Sequence, residues 1–157
     1  MRLAIQVVLA IAIVVLAYLL FQSIRTPWTE YEDRLAREEA GRERMDDVRT
    51  ALIAFRDANG NGPYPSTLDS LVLFVKSDTA FALPEPEGGE ERINPFTPDS
   101  LPFSARGGER FNYERVTSDT TSVEVYWLQD PGAPEDSIGS RVQPPNPALR
   151  NAASWLE

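Results

Sequence analysis

The strongest pattern in the chain is an apolar run over residues 3–21, in which Gln6 is the one polar position. As a helix rising about 1.5 Å per residue, the run covers roughly 28 Å, close to the ~30 Å hydrocarbon core of a bilayer. It is too apolar for the surface of a water-soluble domain. The pattern therefore predicts a transmembrane helix, with residues 1–28 as a membrane anchor.

The length of the run favours a permanent anchor over a cleaved signal peptide, whose apolar region spans roughly 7 to 15 residues. We therefore expect Met1 to be retained. The amino group and Arg2 precede the run, whereas Arg25 and then the acidic stretch 30–33 follow it, so the charge balance favours a cytoplasmic N-terminus. Trp28 and Tyr31 have the position of an aromatic belt at the outer headgroups, or else they pack on the helix that follows.

The composition of residues 29–58 predicts a second helical stretch, because this segment is rich in Glu, Arg, Ala and Leu and contains no proline. Between positions 36 and 44 there is no large apolar residue. This indicates a solvated, charged stalk over residues 29–44, with i,i+4 pairs such as Glu38 with Arg42. Gly41 offers a point of bending in the stalk.

We expect the remaining residues, 45–157, to form a globular head. It opens with an apolar helical stripe, Met45, Val48, Ala51, Leu52 and Phe55. The helix is expected to end at the Asn-Gly-Asn-Gly-Pro sequence of residues 59–63. A short helix follows, with Ser66 as its N-cap and Asp69 completing a capping box. Its apolar face consists of Leu68, Leu71, Val72 and Val75.

The last part of the chain predicts a small antiparallel sheet after an irregular, proline-rich loop over 78–109. Residues 110–116 and 122–128 predict a hairpin. Its inward face is expected to be Val123, Val125 and Trp127, packed against the helical stripe. Residues 130–157 predict loop with one closing turn. The fold class is therefore α+β: a transmembrane helix that continues into a long helix packed on a small antiparallel sheet.

The composition narrows the function. The chain has 24 acidic and 15 basic residues, a net charge of −9, and neither cysteine nor histidine. Phosphate binding needs clustered Lys and Arg, so nucleic acid is excluded as a partner. Disulfides, thiolate nucleophiles, zinc sites of the Cys and His type, and histidine as a general base are excluded as well. The composition favours a non-enzymatic protein without a cofactor.

Two segments carry a family resemblance. In residues 48–60 an amphipathic helix ends in an Asn-Gly turn, and in 63–71 a Tyr-Pro pair leads into a short Leu-x-x-Leu helix. This order resembles the type IV pilins and the pseudopilins of type II secretion. Residues 94–96 and 126–139 are similar, more loosely, to the loop before the pilin sheet and to the last strand with its terminal loop. The resemblance implies a ladle-shaped, pilin-like fold.

The chain departs from that family at its N-terminus. Pilins have a glycine at the prepilin peptidase site and a glutamate at the fifth mature position, and this chain has no glycine before the apolar run and no acidic residue within it. It is more similar to the unprocessed, signal-anchored pilin-like proteins of Bacteroidota, which share D-[IV]-R-x-A-x-x-A-[FY]-[KR] and F-V-K-x-D sequences. Residues 47–56 and 74–78 match these. The resemblance implies an anchor and a fold, with no known activity.

The same resemblance suggests a calcium site, because major pseudopilins often hold calcium in the loop after the last strand. The candidate ligands are Asp130, Glu135 and Asp136. We favour the alternative, a solvated acidic turn, because the spacing fits no tight calcium motif. The carboxylates of residues 85–91 are interpreted as surface charge. Gln6 either bonds to another membrane helix or lies near the cytoplasmic headgroups, and we favour the second.

These patterns lead to two hypotheses. The first is a single-pass protein of the inner (cytoplasmic) membrane with a periplasmic or extracellular C-terminal domain, acting as a pilin-like structural or scaffold subunit of an assembly related to type IV pili or type II secretion. The second is an accessory subunit of an unrelated large membrane complex. In both, the partners are membrane lipid and other membrane protein subunits, bound through the transmembrane helix or the acidic head.

Overall fold

The computed structural model describes residues 2–78, 81–83, 92–117 and 123–156. Contacts divide the chain into two units, Met1–Arg37 and Glu38–Glu157. The longest element, helix α1, spans Arg2–Ala58 and contributes to both units. The second unit therefore begins seven residues before the predicted head, and the predicted stalk is shorter than its sequence suggested.

One segment of α1 has the properties of a membrane span. Among the described residues, Ile5–Gln22 is the one helical stretch long and apolar enough to cross a bilayer, and none of it is buried within the chain. Its length corresponds to about 27 Å of helix. The same properties suit a membrane anchor and a signal sequence.

Helix α1 ends in a Schellman motif, which confirms the predicted stop. The N–H of Asn61 donates to the carbonyl of Arg56 over 2.9 Å, and the N–H of Gly60 donates to that of Asp57 over 3.1 Å. Gly60 and Asn61 have φ angles of 64° and 60°. Glycine and asparagine tolerate this left-handed conformation, which is why the helix ends at this pair.

Helix α2 spans Leu68–Ser77, and its N-cap is Thr67 rather than the predicted Ser66. The Thr67 hydroxyl accepts a hydrogen bond from the Ser70 N–H at 3.2 Å. With Thr67 as the cap, the third helical position is Ser70, so Asp69 does not complete a capping box. The predicted apolar face is confirmed, since Leu68, Leu71, Val72 and Val75 are all buried.

Three antiparallel strands form the sheet, in the order β1-β2-β3. Strand β1 spans Asn112–Thr117, β2 spans Glu124–Asp130 and β3 spans Ala133–Gly139. The predicted hairpin is confirmed by the pairing of Tyr113 with Leu128, although each strand starts two residues later than expected. Its turn, residues 118–122, lies outside the described residues. Strand β3, where a loop was predicted, pairs with β2 after a turn at residues 131–132.

The core of the second unit lies between the C-terminal half of α1, helix α2 and one face of the sheet. The predicted α1 stripe is confirmed: Phe55 is partly buried and the other four residues are fully buried. The residues of β2 that join this core are Tyr126 and Leu128. The predicted face of Val123, Val125 and Trp127 is wrong. Val125 and Trp127 lie on the other side of the sheet, because side chains alternate along a strand, and Val123 precedes β2.

Side chains on the other face of the sheet are also partly shielded from solvent. The guanidinium of Arg141 lies 3.4 Å from the centre of the Trp127 ring and its Nε is 2.9 Å from a carboxylate oxygen of Glu114. Val125 and Val116 pair across β1 and β2 on this face, and both are buried. Burial on both faces explains why β2 lacks the alternation that would identify its inner side.

The connections are irregular, as predicted for the described parts of residues 78–109. A 3₁₀ helix spans Pro98–Ser100, and Phe103 forms an isolated bridge with Arg110. In the C-terminal tail, Ala153 bridges to Ile138 of β3. The described tail has two 3₁₀ helices, Pro147–Leu149 and Ser154–Leu156, where one closing turn was predicted.

Candidate functional site: a buried arginine–aspartate cluster

Asp130 lies at the end of β2 and is fully buried. Its Oδ2 accepts a hydrogen bond from the Ser104 hydroxyl at 2.7 Å, and Nη1 of Arg106 is 3.5 Å from the same oxygen. Its Oδ1 accepts the N–H of Gly132 at 2.9 Å. The carboxylate therefore closes the Asp-Pro-Gly turn into β3 and pairs with an arginine from the preceding loop.

Asp136, on β3, is buried as well. Arg42 of α1 approaches it with both ends of its guanidinium, Nε at 3.1 Å from Oδ2 and Nη2 at 3.3 Å from Oδ1. Arg106 donates to Oδ2 as well. Burial disfavours the charged form, but the hydrogen bonds and charges of the two arginines outweigh it, so the pKa of Asp136 lies below its ordinary value.

Arg106 joins the two aspartates to α1. Its side chain is 8% exposed, and its Nη2 also donates to the backbone carbonyl of Glu38 at 3.0 Å. A β-carbon on Gly41 would lie 2.4 Å from Nε of Arg106 and 2.7 Å from its Cγ. The glycine predicted as a bending point thus provides the space through which Arg106 reaches the helix. We call Arg42, Arg106, Asp130 and Asp136 the arginine–aspartate cluster.

The structure brings together two of the three candidate calcium ligands. Asp130 and Asp136 share Arg106, whereas the side chain of Glu135 is exposed and follows the opposite face of β3. The backbone carbonyl of Glu135 accepts a hydrogen bond from Ser154 at 2.7 Å. Within the described residues, no group of three or more Asp, Glu, Cys or His side chains is arranged to hold a metal ion. Calcium binding is not tested by this arrangement, and the favoured alternative, a solvated acidic turn, is wrong for Asp130 and Asp136, because both are buried.

A second ionic cluster holds the loop after α2 against α1. Arg92 pairs with Asp47, and its Nη2 lies 3.4 Å from a carboxylate oxygen of Glu43. Glu43 also accepts the backbone N–H of Asn94 at 3.2 Å, and the Asn94 side chain donates to the carbonyl of Ala40 at 3.1 Å. Residues 40–44, predicted as solvated stalk, are therefore packed within the second unit.

Burial controls the ionisation of this second cluster. It raises the pKa of Asp47 above its ordinary value despite the hydrogen bond and charge of Arg92. It also lowers the pKa of the buried Arg44 guanidinium, against the attraction of Asp47 and Glu43. Both groups keep opposite charges nearby, which is the usual condition for charged side chains below a protein surface.

The contacts of the arginine–aspartate cluster hold α1, the loop at Arg106 and strand β3 together. A carboxylate whose pKa is lowered by two guanidiniums is a poor proton donor near neutral pH, and its oxygens are engaged by arginine. Sequence reasoning missed Arg106 and Arg42, because an arginine in a loop or charged helix has the pattern of a solvated one. Gly41 in an otherwise good helix-forming stretch was the available signal.

The other candidates do not extend this site. Gln6 is exposed on α1 within the apolar segment, and residues 85–91 lie outside the described residues. No protein-family model matches the chain, and no curated protein and no solved structure is significantly similar to it.

Proposed function

We propose that this chain is a non-enzymatic, single-pass membrane protein that serves as a pilin-like structural or scaffold subunit of a cell-envelope assembly related to type IV pili or type II secretion. The observation that carries the proposal is the continuity of α1. One helix holds both the apolar segment Ile5–Gln22 and the stripe that packs in the core of the second unit. The same helix therefore supplies residues both to the candidate anchor and to the core of a folded domain.

The arginine–aspartate cluster supports a scaffold role. It ties α1, at Gly41 and Arg42, to the loop at Arg106 and to strand β3 at Asp136. The second ionic cluster ties the same turns of α1 to the loop at 92–94. The buried charges of the second unit thus hold its helix in place, which suits a protein whose task is to position a domain.

The proposed location is the inner membrane, with the N-terminus in the cytoplasm and residues 38–157 in the periplasm or outside the cell. The amino group and Arg2 before the apolar segment support this orientation against the single Arg25 that follows it, and the acidic residues 30–33 lie beyond Arg25. Protease added to intact spheroplasts should remove the C-terminal domain while a cytoplasmic marker survives. Survival of both, with digestion of both after lysis, would reverse the orientation.

Co-purification tests the assembly. The full chain, extracted in mild detergent after brief chemical cross-linking, should bring down components of a pilus or secretion apparatus. A variant in which a generic apolar helix replaces Ile5–Gln22 is the control for capture through the membrane segment. Recovery of subunits of an unrelated membrane complex would contradict the pilin-like role and support the accessory-subunit hypothesis.

A further inference from the structure

Two asparagine–glycine pairs follow one another at the end of α1, Asn59-Gly60 and Asn61-Gly62. In such a pair the backbone nitrogen of the glycine is able to attack the side-chain carbonyl carbon of the asparagine. Glycine favours this attack, because it has no β-carbon and its backbone rotates more freely than that of any other residue. Asn59, Gly60 and Asn61 are exposed, so water reaches this part of the chain.

The fold requires a glycine after each of the two asparagines. Gly60 has a φ angle of 64°, in the left-handed region that favours glycine. A β-carbon on Gly62 would lie 2.9 Å from the backbone oxygen of Asn59. A larger residue at either position would strain the turn, so the way in which α1 ends maintains both reactive sequences.

Hydrogen bonds restrain both of the groups that would react at Asn59. Its side-chain Nδ2 donates to the carbonyl of Phe55 at 2.9 Å, which holds the amide against the last turn of the helix. The attacking nitrogen, that of Gly60, donates to the carbonyl of Asp57 at 3.1 Å. The second bond is one of the two that close the Schellman motif. Attack at Asn59 therefore requires the end of α1 to open.

Asn61 is restrained less. Its attacking nitrogen, that of Gly62, donates to the carbonyl of Asn59 at 3.1 Å. Within the described residues, the side-chain amide of Asn61 makes no bond like that of the Asn59 amide. The rotation that brings the Gly62 nitrogen towards Asn61 also lies after the N–H groups of Gly60 and Asn61 in the chain. It therefore leaves both bonds of the Schellman motif in place.

We propose that Asn61 is a site of spontaneous deamidation in the folded protein and that the Schellman motif protects Asn59. In the first step, the nitrogen of Gly62 bonds to the side-chain carbonyl carbon of Asn61. The bond from that carbon to the amide nitrogen breaks, and ammonia leaves with the proton of the Gly62 nitrogen. Water then opens the cyclic imide at either of its carbonyls, which gives aspartate or isoaspartate. This inference does not depend on the proposed function.

The products change the connection between α1 and the sheet. Both place a negative charge at the C-terminal end of the helix, where the helix dipole disfavours it. Isoaspartate also adds a carbon to the backbone between Asn61 and Gly62. The chain is fixed just beyond this point, because Tyr64 donates its N–H to Glu124 at 2.7 Å and its carbonyl accepts from Arg115 at 3.2 Å.

Peptide mapping tests the selectivity. The full chain is incubated in mild detergent at mildly alkaline pH, and a second sample is incubated in guanidinium chloride to give the intrinsic rate at each asparagine. The tryptic peptide of residues 57–76 contains both sites, and fragment masses distinguish them. Breaking one more hydrogen bond corresponds to about a fivefold change in an equilibrium constant. Folding should therefore slow Asn59 by about fivefold more than Asn61.

The other outcomes would overturn the proposal. Equal slowing at the two positions, or greater slowing at Asn61, would show that the turn does not select between them. A native chain that stays unmodified at Asn61 while the denatured sample reacts to completion would show that Asn61 is not a site in the folded protein.

Two matched variants test whether the Schellman motif protects Asn59. Asn61→Gly and Asn61→Ala both remove the amide at position 61 and keep the Asn59-Gly60 sequence. Glycine adopts the φ angle of 60° at position 61 without strain, whereas alanine does not. Relative to the denatured rate, Asn59 should react about fivefold faster in Asn61→Ala than in Asn61→Gly. Equal rates would show that the motif does not protect Asn59 and would overturn the proposal.

Discussion

Gly41 on α1 lies so close to Arg106 in the loop before β1 that a β-carbon at position 41 would have to displace the arginine side chain, because it would lie 2.7 Å from Cγ of Arg106. By helix propensity alone, Gly41→Ala should stabilise α1 by about 1 kcal/mol. We expect the opposite, a loss of about 1 to 3 kcal/mol, because moving Arg106 weakens its bonds to Asp136 and Glu38. Urea unfolding of a soluble fragment, residues 29–157, measures the change.

The Arg106→Ala background is the control for this reversal of sign. Once the long side chain is removed, Gly41→Ala meets no obstacle and should stabilise the fragment by up to about 1 kcal/mol. Equal effects of Gly41→Ala in the two backgrounds would contradict the proposed fit between the residues.

Arg106 itself should be among the most important charged residues of the second unit. Arg106→Gln leaves Asp130 and Asp136 buried without their shared cation, which should cost about 3 kcal/mol of unfolding free energy. Arg110→Gln is the matched control, because Arg110 pairs with the exposed Asp69 and should contribute less than about 1 kcal/mol. Denaturant titration of both variants measures the difference, and similar losses would refute the assignment.

The acid dependence of stability should reveal the ionised state of Asp136. The pKa of Asp136 is lowered in the folded state. The ionised carboxylate therefore contributes its full stabilisation to the free energy of unfolding above the ordinary aspartate value of 3.8, and this contribution is lost as the pH falls through the lower folded value. The stability difference between wild type and Asp136→Asn should therefore be constant above about pH 5 and shrink in acid. A difference that grows in acid would contradict this.

Asp47 provides a control of opposite sign. Burial raises its pKa, so the folded state binds the proton more tightly than the unfolded chain does. The stability of wild type relative to Asp47→Asn should therefore fall as the pH rises from about 3.8 through the raised folded value. Parallel titrations of the two aspartate variants would show slopes of opposite sign.

The corrected face of β2 leads to a further prediction. Leu128 is fully buried in the core beside α1, so Leu128→Ala should cost about 2 to 5 kcal/mol. Leu73→Ala is the matched control, because Leu73 on α2 is 69% exposed and should change stability by less than about 0.5 kcal/mol. Thermal unfolding of both variants measures this, and equal melting would refute the packing of Leu128 in this core.

Calcium should have little effect on the second unit. Asp130 and Asp136 are engaged by arginine and Ser104, and Glu135 lies apart from them. We therefore expect the same melting temperature with 5 mM calcium and with chelator, to within about 1 °C, because a ligand that binds weakly adds little stability. A saturable rise in melting temperature that Glu135→Gln and Asp136→Asn abolish would establish the calcium site.

The helices could be predicted from local information. The spacing of Met45, Val48 and Leu52, the Asn-Gly sequence after α1 and the apolar face of α2 each involve residues a few positions apart. The strands β1 and β2 also have enough β-branched and aromatic residues to be recognised. Each of these signals comes from the chain's own periodicity or turn chemistry.

The third strand and the inner face of β2 depend on contacts between distant residues. The sequence of β3, Ala-Pro-Glu-Asp-Ser-Ile-Gly, has poor β propensity, and it is extended because it pairs with β2 and the tail bridges to Ile138. Residues 125–128 are apolar on both faces, so periodicity does not distinguish them. The assembled core shows which face meets α1: Tyr126 and Leu128 lie in it, and Arg141 lies over Trp127 on the other face.

The arginine–aspartate cluster is the part least accessible from sequence. Arg42, Arg106 and Asp136 are separated by 64 and 30 residues, since an ion pair is set by distance in space and leaves no periodic trace along the chain. Local patterns determined where the helices and the first hairpin form. The assembled fold determined which charges are buried, because only there do opposite charges come close enough to offset the cost of removing each from water.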